Sequence, residues 1–328
     1  MNILYPSYLN LYQSGELKQR VDCLKEILLS CSLCPRECGV NRLKNEGKFC
    51  RSGYLPAVPS FTPHFGEEPV LVGKYGSGTI FLGNCSLKCV YCQNFYISQS
   101  PDKDKEITIE EFASILIKLQ KKGCHNINFV SPTHFVPQLV QAIYYAVPMG
   151  LNLPIVYNTN SYDSVETLRL LDGIVDIYLP DIKYSDDKMA FKYSNVKDYV
   201  EHSQSAVQEM WRQVGNLKVD ENGIAKRGVL IRHLILPQDI AGSYKTLKFI
   251  AENLSPDSAL SIMGQYFPTH KTNIYPEINR AIDEDEYEGV LEILSSFGME
   301  KNVYTQSLES HKHYRPNFVN RKNPFRKF

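Results

Sequence analysis

The chain has 328 residues, enough to bury a substantial core as one large domain or two smaller ones. Its 36 basic and 36 acidic residues cancel to zero formal net charge, so no global field draws it to nucleic acid or to an anionic membrane. The amino terminus lacks a basic start followed by an apolar core and a small-residue cleavage site, which argues against a secretory signal. The expectation is a soluble, cytoplasmic protein without a membrane partner. Its most apolar stretch, 139–157, carries Gln141, Pro148, Asn152 and Pro154 and reads as helix, turn and buried strand rather than a span.

The first element in chain order is a helix over "ELKQRVDCLKEILLS". A cysteine-rich stretch follows: Cys31-x2-Cys34-x3-Cys38, then Cys50. Residues 1–60 are expected to form an N-terminal helix and a small metal-binding subdomain. In a reducing compartment clustered thiols point to metal rather than to disulfides. Gly39 and Gly47 permit tight turns around the sulfurs. Four thiolates suit structural zinc or an auxiliary iron–sulfur cluster equally in ligand type. The spacing does not decide, and the polar, exposed look of 39–49 tilts the reading to zinc. Cys23 and Cys124, outside the groups, read as inert core thiols.

Residues 54–75 hold several Pro and Gly and read as a connecting segment. Short β-branched runs then alternate with helical patterns. Strands are expected at 78–83, 126–130, 154–158, 175–183, 228–236 and 259–263, with helices at 108–123 and 164–173. Thr108 and Glu111 form a capping box for the first of these helices. Near-continuously apolar strands between helices imply a parallel sheet with both faces covered. Six units over roughly 190 residues suit an incomplete barrel better than a full eight-unit one of ~250. The expected fold is α/β, a partial (β/α)6 TIM-type barrel over 61–305, with an open doubly wound sheet as the alternative.

In either architecture chemistry collects at the carboxyl ends of the strands. Polar stretches follow the strands as that rule demands: "GNCSLKC", "SPTH", "NTNS", "PDIKY" and "GQYFP". The first continues as "GNCSLKCVYCQN", with Cys85, Cys89 and Cys92 in C-x3-C-x2-C spacing. Four cysteines would close an iron–sulfur cubane as an electron carrier. Three leave one iron open to a small chelator, as an open position marks a catalytic zinc. The plain alternative is a three-cysteine zinc site with a distant ligand.

This run resembles the cluster signature of radical S-adenosylmethionine (SAM) enzymes. "CSLCPRECGVNR", "CVYCQNFYIS", "NFVSPTHFVPQL", "VDIYLPDIKY" and "IRHLILP" together resemble a branch related to pyruvate formate-lyase activating enzymes. The resemblance implies a [4Fe–4S] cluster on Cys85, Cys89 and Cys92, whose open iron takes the amino and carboxylate groups of SAM. Reductive cleavage then gives methionine and a 5′-deoxyadenosyl radical that takes hydrogen from a substrate. An electron donor such as flavodoxin or ferredoxin is implied. The substrate is a peptide or protein by likeness to glycyl-radical activation, or else a small metabolite; a noncatalytic iron–sulfur scaffold is the alternative from another class.

By the same resemblance Asp181 and Lys183 contact SAM, and Tyr91 leans over it. Where many relatives carry a Gly-Gly-Glu stretch, this chain has no carboxylate, leaving Ser131, Thr133 and His134 as candidates. His134 is also a candidate proton carrier; helix capping and a buried structural histidine are the plain readings. Asn158 stands where some relatives place a cation-binding aspartate, so a cation site is doubtful and a SAM contact remains. Arg232 is a candidate for the SAM carboxylate or ribose, with an internal salt bridge as its plain reading. Gln265 or Tyr266 is a candidate to border the adenine, with a simple loop role as the plain reading. His125 is expected at the opposite end of the barrel. The tail, 306–328, mixes basic and aromatic residues; it reads as a cover for the barrel mouth, and neutral overall charge argues against a nucleic-acid arm.

Overall fold

A computed structural model describes residues 4–100, 102–306, 316, 318 and 324–325. Its nine strands are β1 (Ser60–His64), β2 (Ser77–Phe81), β3 (Ile127–Val130), β4 (Ile155–Thr159), β5 (Ile177–Pro180), β6 (Lys218–Val219), β7 (Ala225–Leu234), β8 (Ala259–Met263) and β9 (Val303–Thr305). The order across the sheet is β1-β2-β3-β4-β5-β7-β8-β9, with β6 attached antiparallel to β7. From β2 to β9 all neighbours on this path run parallel, whereas β1 pairs antiparallel with β2. The six expected strands are β2, β3, β4, β5, β7 and β8. β1 arises within the segment read as a plain connection.

The longer helices lie on the outer face. Ile109–Lys121 begins at the expected Thr108–Glu111 capping box and buries Phe112, Leu116 and Leu119. Phe112 meets Phe129 of β3 edge-on at 5.7 Å. The N-terminal helix Glu16–Ile27 buries Leu17, Val21 and Leu24 in the same main core as the barrel helices. Cys23 lies off that stripe and is exposed, correcting its reading as a core thiol, while Cys124 is buried. The cysteine-rich stretch has a small core of its own around Leu28, Cys31 and Leu33. Its loop is exposed at Gly39 and over 44–48, as its polarity suggests, with Arg42 as the exception. Arg42 is fully buried, donates to the Gly53 and His134 carbonyls, and so ties this stretch to the end of β3.

Alternation along each strand divides outward from inward residues. The inward positions at the amino ends are apolar: Val156, Ile177, Leu230 and Ala259 pack on Leu71. Leu71 belongs to the short helix Pro69–Val72, which follows β1 and enters the barrel as a plug. Nearer the carboxyl ends the inward positions turn polar, with Asn158 on β4, Asp181 after β5 and Arg232 on β7. His125 accepts a hydrogen bond from the Tyr75 amide at the other end, as expected. Among the described residues no helix is long and apolar enough to cross a membrane.

Candidate active site

One cavity of about 240 Å³ opens at the carboxyl ends of the parallel strands. Cys85, Cys89, Tyr91, Cys92, Ser131, Asn158, Asp181, Lys183, Arg232, Gln265 and Tyr266 all line it. These residues come from six separate stretches of sequence, and the strand-end rule is what brings them together.

The three cysteines sit on the loop after β2, and each sulfur accepts a hydrogen bond from a different place. Cys85 Sγ accepts from the Leu87 amide at 3.4 Å and from Asn160 Nδ2 at 3.5 Å. Ser194 Oγ stands 3.0 Å from Cys89 Sγ and donates to it, and Ser98 Oγ lies 3.2 Å from Cys92 Sγ. Ser194 is itself the end of a chain, Tyr91 Oη to Tyr184 Oη at 2.6 Å and Tyr184 Oη to Ser194 Oγ at 2.7 Å. Burial pushes the Cys89 thiol up to about 12, opposed by the Lys183 charge. A buried sulfur with a hydroxyl donor and a nearby cation is suited to a metal-bound thiolate, since coordination removes the proton.

Among the described residues no three His, Cys, Asp or Glu side chains converge on a single metal ion. A cubane does not ask for this, because each sulfur holds its own iron. The residues present therefore fit a three-thiolate cluster.

The charged wall is closely paired. Arg232 donates from Nε to Asp181 at 2.7 Å, from Nη1 to Glu67 at 3.0 Å and from Nη2 to Asn158 Oδ1 at 2.8 Å. Lys183 Nζ reaches the other Asp181 oxygen at 2.7 Å. Burial alone would raise the Asp181 carboxyl, but Arg232 and Lys183 outweigh it and hold the group below the usual carboxylate range. Arg232 thus forms the internal salt bridge of its plain reading, and a ligand carboxylate there competes with Glu67 and Asp181.

Thr133 and His134 turn away from the cavity. Ser131 adopts a left-handed conformation (φ 56°), which aims the serine inward and sends the next residues into the shell. Thr133 lies 3.4 Å from the Thr159 hydroxyl, and Thr159 donates to the buried Asp163 at 2.5 Å. His134 is 2% exposed, with Nε2 2.8 Å from the Gly83 carbonyl. Burial lowers its imidazole to about 3. It braces the β2 end as a neutral structural histidine, which removes the geometric basis for a proton-carrier role.

Sequence reasoning missed His64, at the end of β1, and Glu67 and Glu68, in the connection after it, all of which line the same cavity. Their one signal was "FGEEP": these two adjacent acids are the only acids between 54 and 76. It also missed Asn160, Ser98 and Ser194, single polar residues without pattern. The tail is largely outside the described residues. Of those described, Pro316 and Phe325 line the cavity, and the Phe325 ring lies 4.0 Å from that of His64, tilted by 35°.

At the N-terminal cysteines, the Cys31 amide bonds to the Val40 carbonyl and the Gly39 amide to the Cys31 carbonyl, both at 3.0 Å, closing a tight loop. Burial pushes the Cys34 thiol up to about 12, and Cys50 and Cys31 add to the rise. Arg36 links this knot to the cluster loop, donating to the Ser86 carbonyl at 2.8 Å with its guanidinium 3.3 Å over the Phe49 ring.

A half-barrel with three thiols on its first parallel βα loop is built for an iron–sulfur cluster with one open corner, and comparison with known proteins gives the family. The radical SAM superfamily model matches residues 79–250, and the chain belongs to that superfamily. It is an enzyme whose family uses a [4Fe–4S] cluster, SAM, an electron donor and a substrate. The uncharacterised protein MJ0674 of Methanocaldococcus jannaschii is 33% identical over 293 residues, 87% of this chain and 80% of that protein. Streptococcus suis SuiB, solved bound to precursor peptide SuiA, matches at 15% identity with a TM-score of 0.47 over 71% of this chain. The match covers 49% of SuiB, about half its length. A domain of pyruvate-formate lyase-activating enzyme from Bacteroides vulgatus matches at 11% identity with a TM-score of 0.36, over 61% of this chain and 91% of that one.

Proposed function

We propose that this enzyme takes hydrogen from a small polar molecule held inside the barrel rather than from a peptide or protein. The carrying observation is the buried charged floor, Glu67–Arg232–Asp181–Lys183, on the wall of the same cavity as Cys85, Cys89 and Cys92. A protein substrate needs an open groove. A floor of desolvated charges is useful only to a molecule small enough to reach it.

Cys85, Cys89 and Cys92 would hold the cluster, which when bound supplies the electron that cleaves SAM to methionine and a 5′-deoxyadenosyl radical. Ser194, Ser98 and Asn160 steady the three sulfurs. Lys183 presents a cation beside Cys89, and Asp181 fixes it there. Tyr91, pinned by Tyr184 and edge-on to Tyr266 at 5.9 Å, leans over the mouth and excludes water. Phe325 and Pro316 add apolar cover. A flavodoxin- or ferredoxin-type protein would be the donor. Cys31, Cys34, Cys38 and Cys50 would form a second metal site, zinc or an auxiliary cluster; iron and zinc counts on wild type and Cys34→Ser separate the two.

The test uses anaerobically reconstituted enzyme with dithionite, SAM and cell extract divided by a membrane that retains proteins. The low-mass fraction should stimulate 5′-deoxyadenosine formation. Stimulation by the retained fraction alone would overturn the reading.

A further inference from the structure

Charges on the cavity wall balance except at one place. Every nitrogen of the Arg232 guanidinium serves Asp181, Glu67 or Asn158, and Lys183 serves Asp181. The second Glu67 oxygen accepts from Asn128 Nδ2 at 3.3 Å. Two cations thus face two carboxylates, Glu67 and Asp181. Glu68 is the third carboxylate. It is 4% exposed, lines the cavity, and its Oε2 has no hydrogen-bond partner. The Ser261 hydroxyl stands beside Glu68 as a hydrogen-bonding neighbour, and Oε1 of Gln306 on the same wall is without a partner.

The unmet groups are therefore mainly acceptors. A desolvated carboxylate without a partner is costly, and an ammonium group brings both a compensating charge and three donors. An anionic ligand group would find the Arg232 fork already occupied and Glu68 facing it.

We propose that Glu68 receives a protonated amine and that the small substrate is accordingly an alkylammonium compound. This rests on the reading of a small polar substrate above. Burial raises the Glu68 carboxyl, the Arg232 charge opposes the rise and Glu67 adds to it, so an arriving ammonium favours the charged form. The amino group of SAM carries the same chemistry, so the experiment has two arms.

In the first arm, SAM is titrated onto the reconstituted cluster and followed by electron paramagnetic resonance, for wild type and Glu68→Gln. In the second, n-butylamine, 1,4-diaminobutane and lysine are compared with butyrate and succinate by thermal shift, which requires no turnover. The expected result is stabilisation by the amines alone, weakened roughly tenfold in Glu68→Gln as loss of a charge-assisted hydrogen bond implies, with SAM affinity unchanged. Loss of SAM affinity with an unaltered amine response would place the SAM amino group at Glu68 and overturn the substrate assignment. No amine response, or an equal response to the carboxylates, would overturn the proposal outright. If Glu68→Gln does not fold, Glu68→Asp shortens the same carboxylate; a wild-type amine response there counts against the site. Deoxyadenosine formation by wild type is scored separately, so failure of the radical reading is not mistaken for failure of this one.

Discussion

Replacing Ser194 by alanine removes the hydroxyl that stands 3.0 Å from Cys89 Sγ and leaves the rest of the cavity wall in place. Hydrogen bonds to cluster sulfurs favour the more negatively charged, reduced state and so raise the reduction potential. A hydrogen bond to a charged acceptor contributes about 1.5–3 kcal/mol, of which only the difference between oxidation states counts. If roughly a third is redox-dependent, ~0.5–1 kcal/mol is lost from the reduced state, which at about 59 mV per tenfold for one electron lowers the potential by ~20–45 mV. The assay is a redox titration of the reconstituted cluster by electron paramagnetic resonance, with iron content checked on the same sample. Ser98→Ala, whose bond is longer at 3.2 Å, should shift the potential in the same direction by less. An unchanged or more positive potential in Ser194→Ala, with iron retained, would refute the reasoning. Tyr184 would then be anchoring Ser194 for packing alone.

Arg232→Met leaves Glu67 as a buried carboxylate without its cation and Asp181 with Lys183 alone, and should cost about 3–5 kcal/mol in urea unfolding of the apo-protein; a loss under about 1 kcal/mol would show the pairs to be solvated. His134 and His64 have imidazoles lowered to about 3 and about 4, chiefly by burial, against the ordinary value of ~6.5. Their neutral forms stabilise the fold fully above ~6.5, and that contribution drains as pH falls toward the folded values, at up to ~1.4 kcal/mol per pH unit for each. Stability measured between about pH 7 and pH 5 should therefore fall less steeply in His134→Gln than in wild type; an identical slope would contradict the buried neutral state. Gly228 has φ 128° and its absent Cβ would meet Leu217 Cα at 2.4 Å, so Gly228→Ala should cost at least ~1–3 kcal/mol and lower the Tm; a wild-type Tm would refute the close approach of the 216–217 backbone to β7.

Six of the seven strands of the parallel path were readable because their central residues are buried on both faces and so largely apolar. β1 was not, because Pro63 interrupts a run whose strand character depends on pairing at the sheet edge. β6 and β9 have two and three residues, too short for any period. The site divides on similar lines. Cys85, Asn158, Asp181 and Arg232 follow from the strand-end rule, which needs only chain order. Glu67 and Glu68 reach the cavity because the β1–β2 connection folds into an open half-barrel, a tertiary event that local sequence does not record. His134 misled for the opposite reason. It stands in the right loop, but the left-handed turn at Ser131 points it out of the barrel.

The central claim is that Cys85, Cys89 and Cys92 hold a cluster whose open corner serves SAM. Anaerobic reconstitution, reduction with dithionite and addition of SAM should yield 5′-deoxyadenosine from wild type and none from Cys89→Ala, while Cys23→Ala, an exposed thiol remote from the cavity, behaves as wild type. Deoxyadenosine formed equally by Cys89→Ala, or an intact and reducible wild-type cluster whose resonance SAM leaves unchanged, would contradict it.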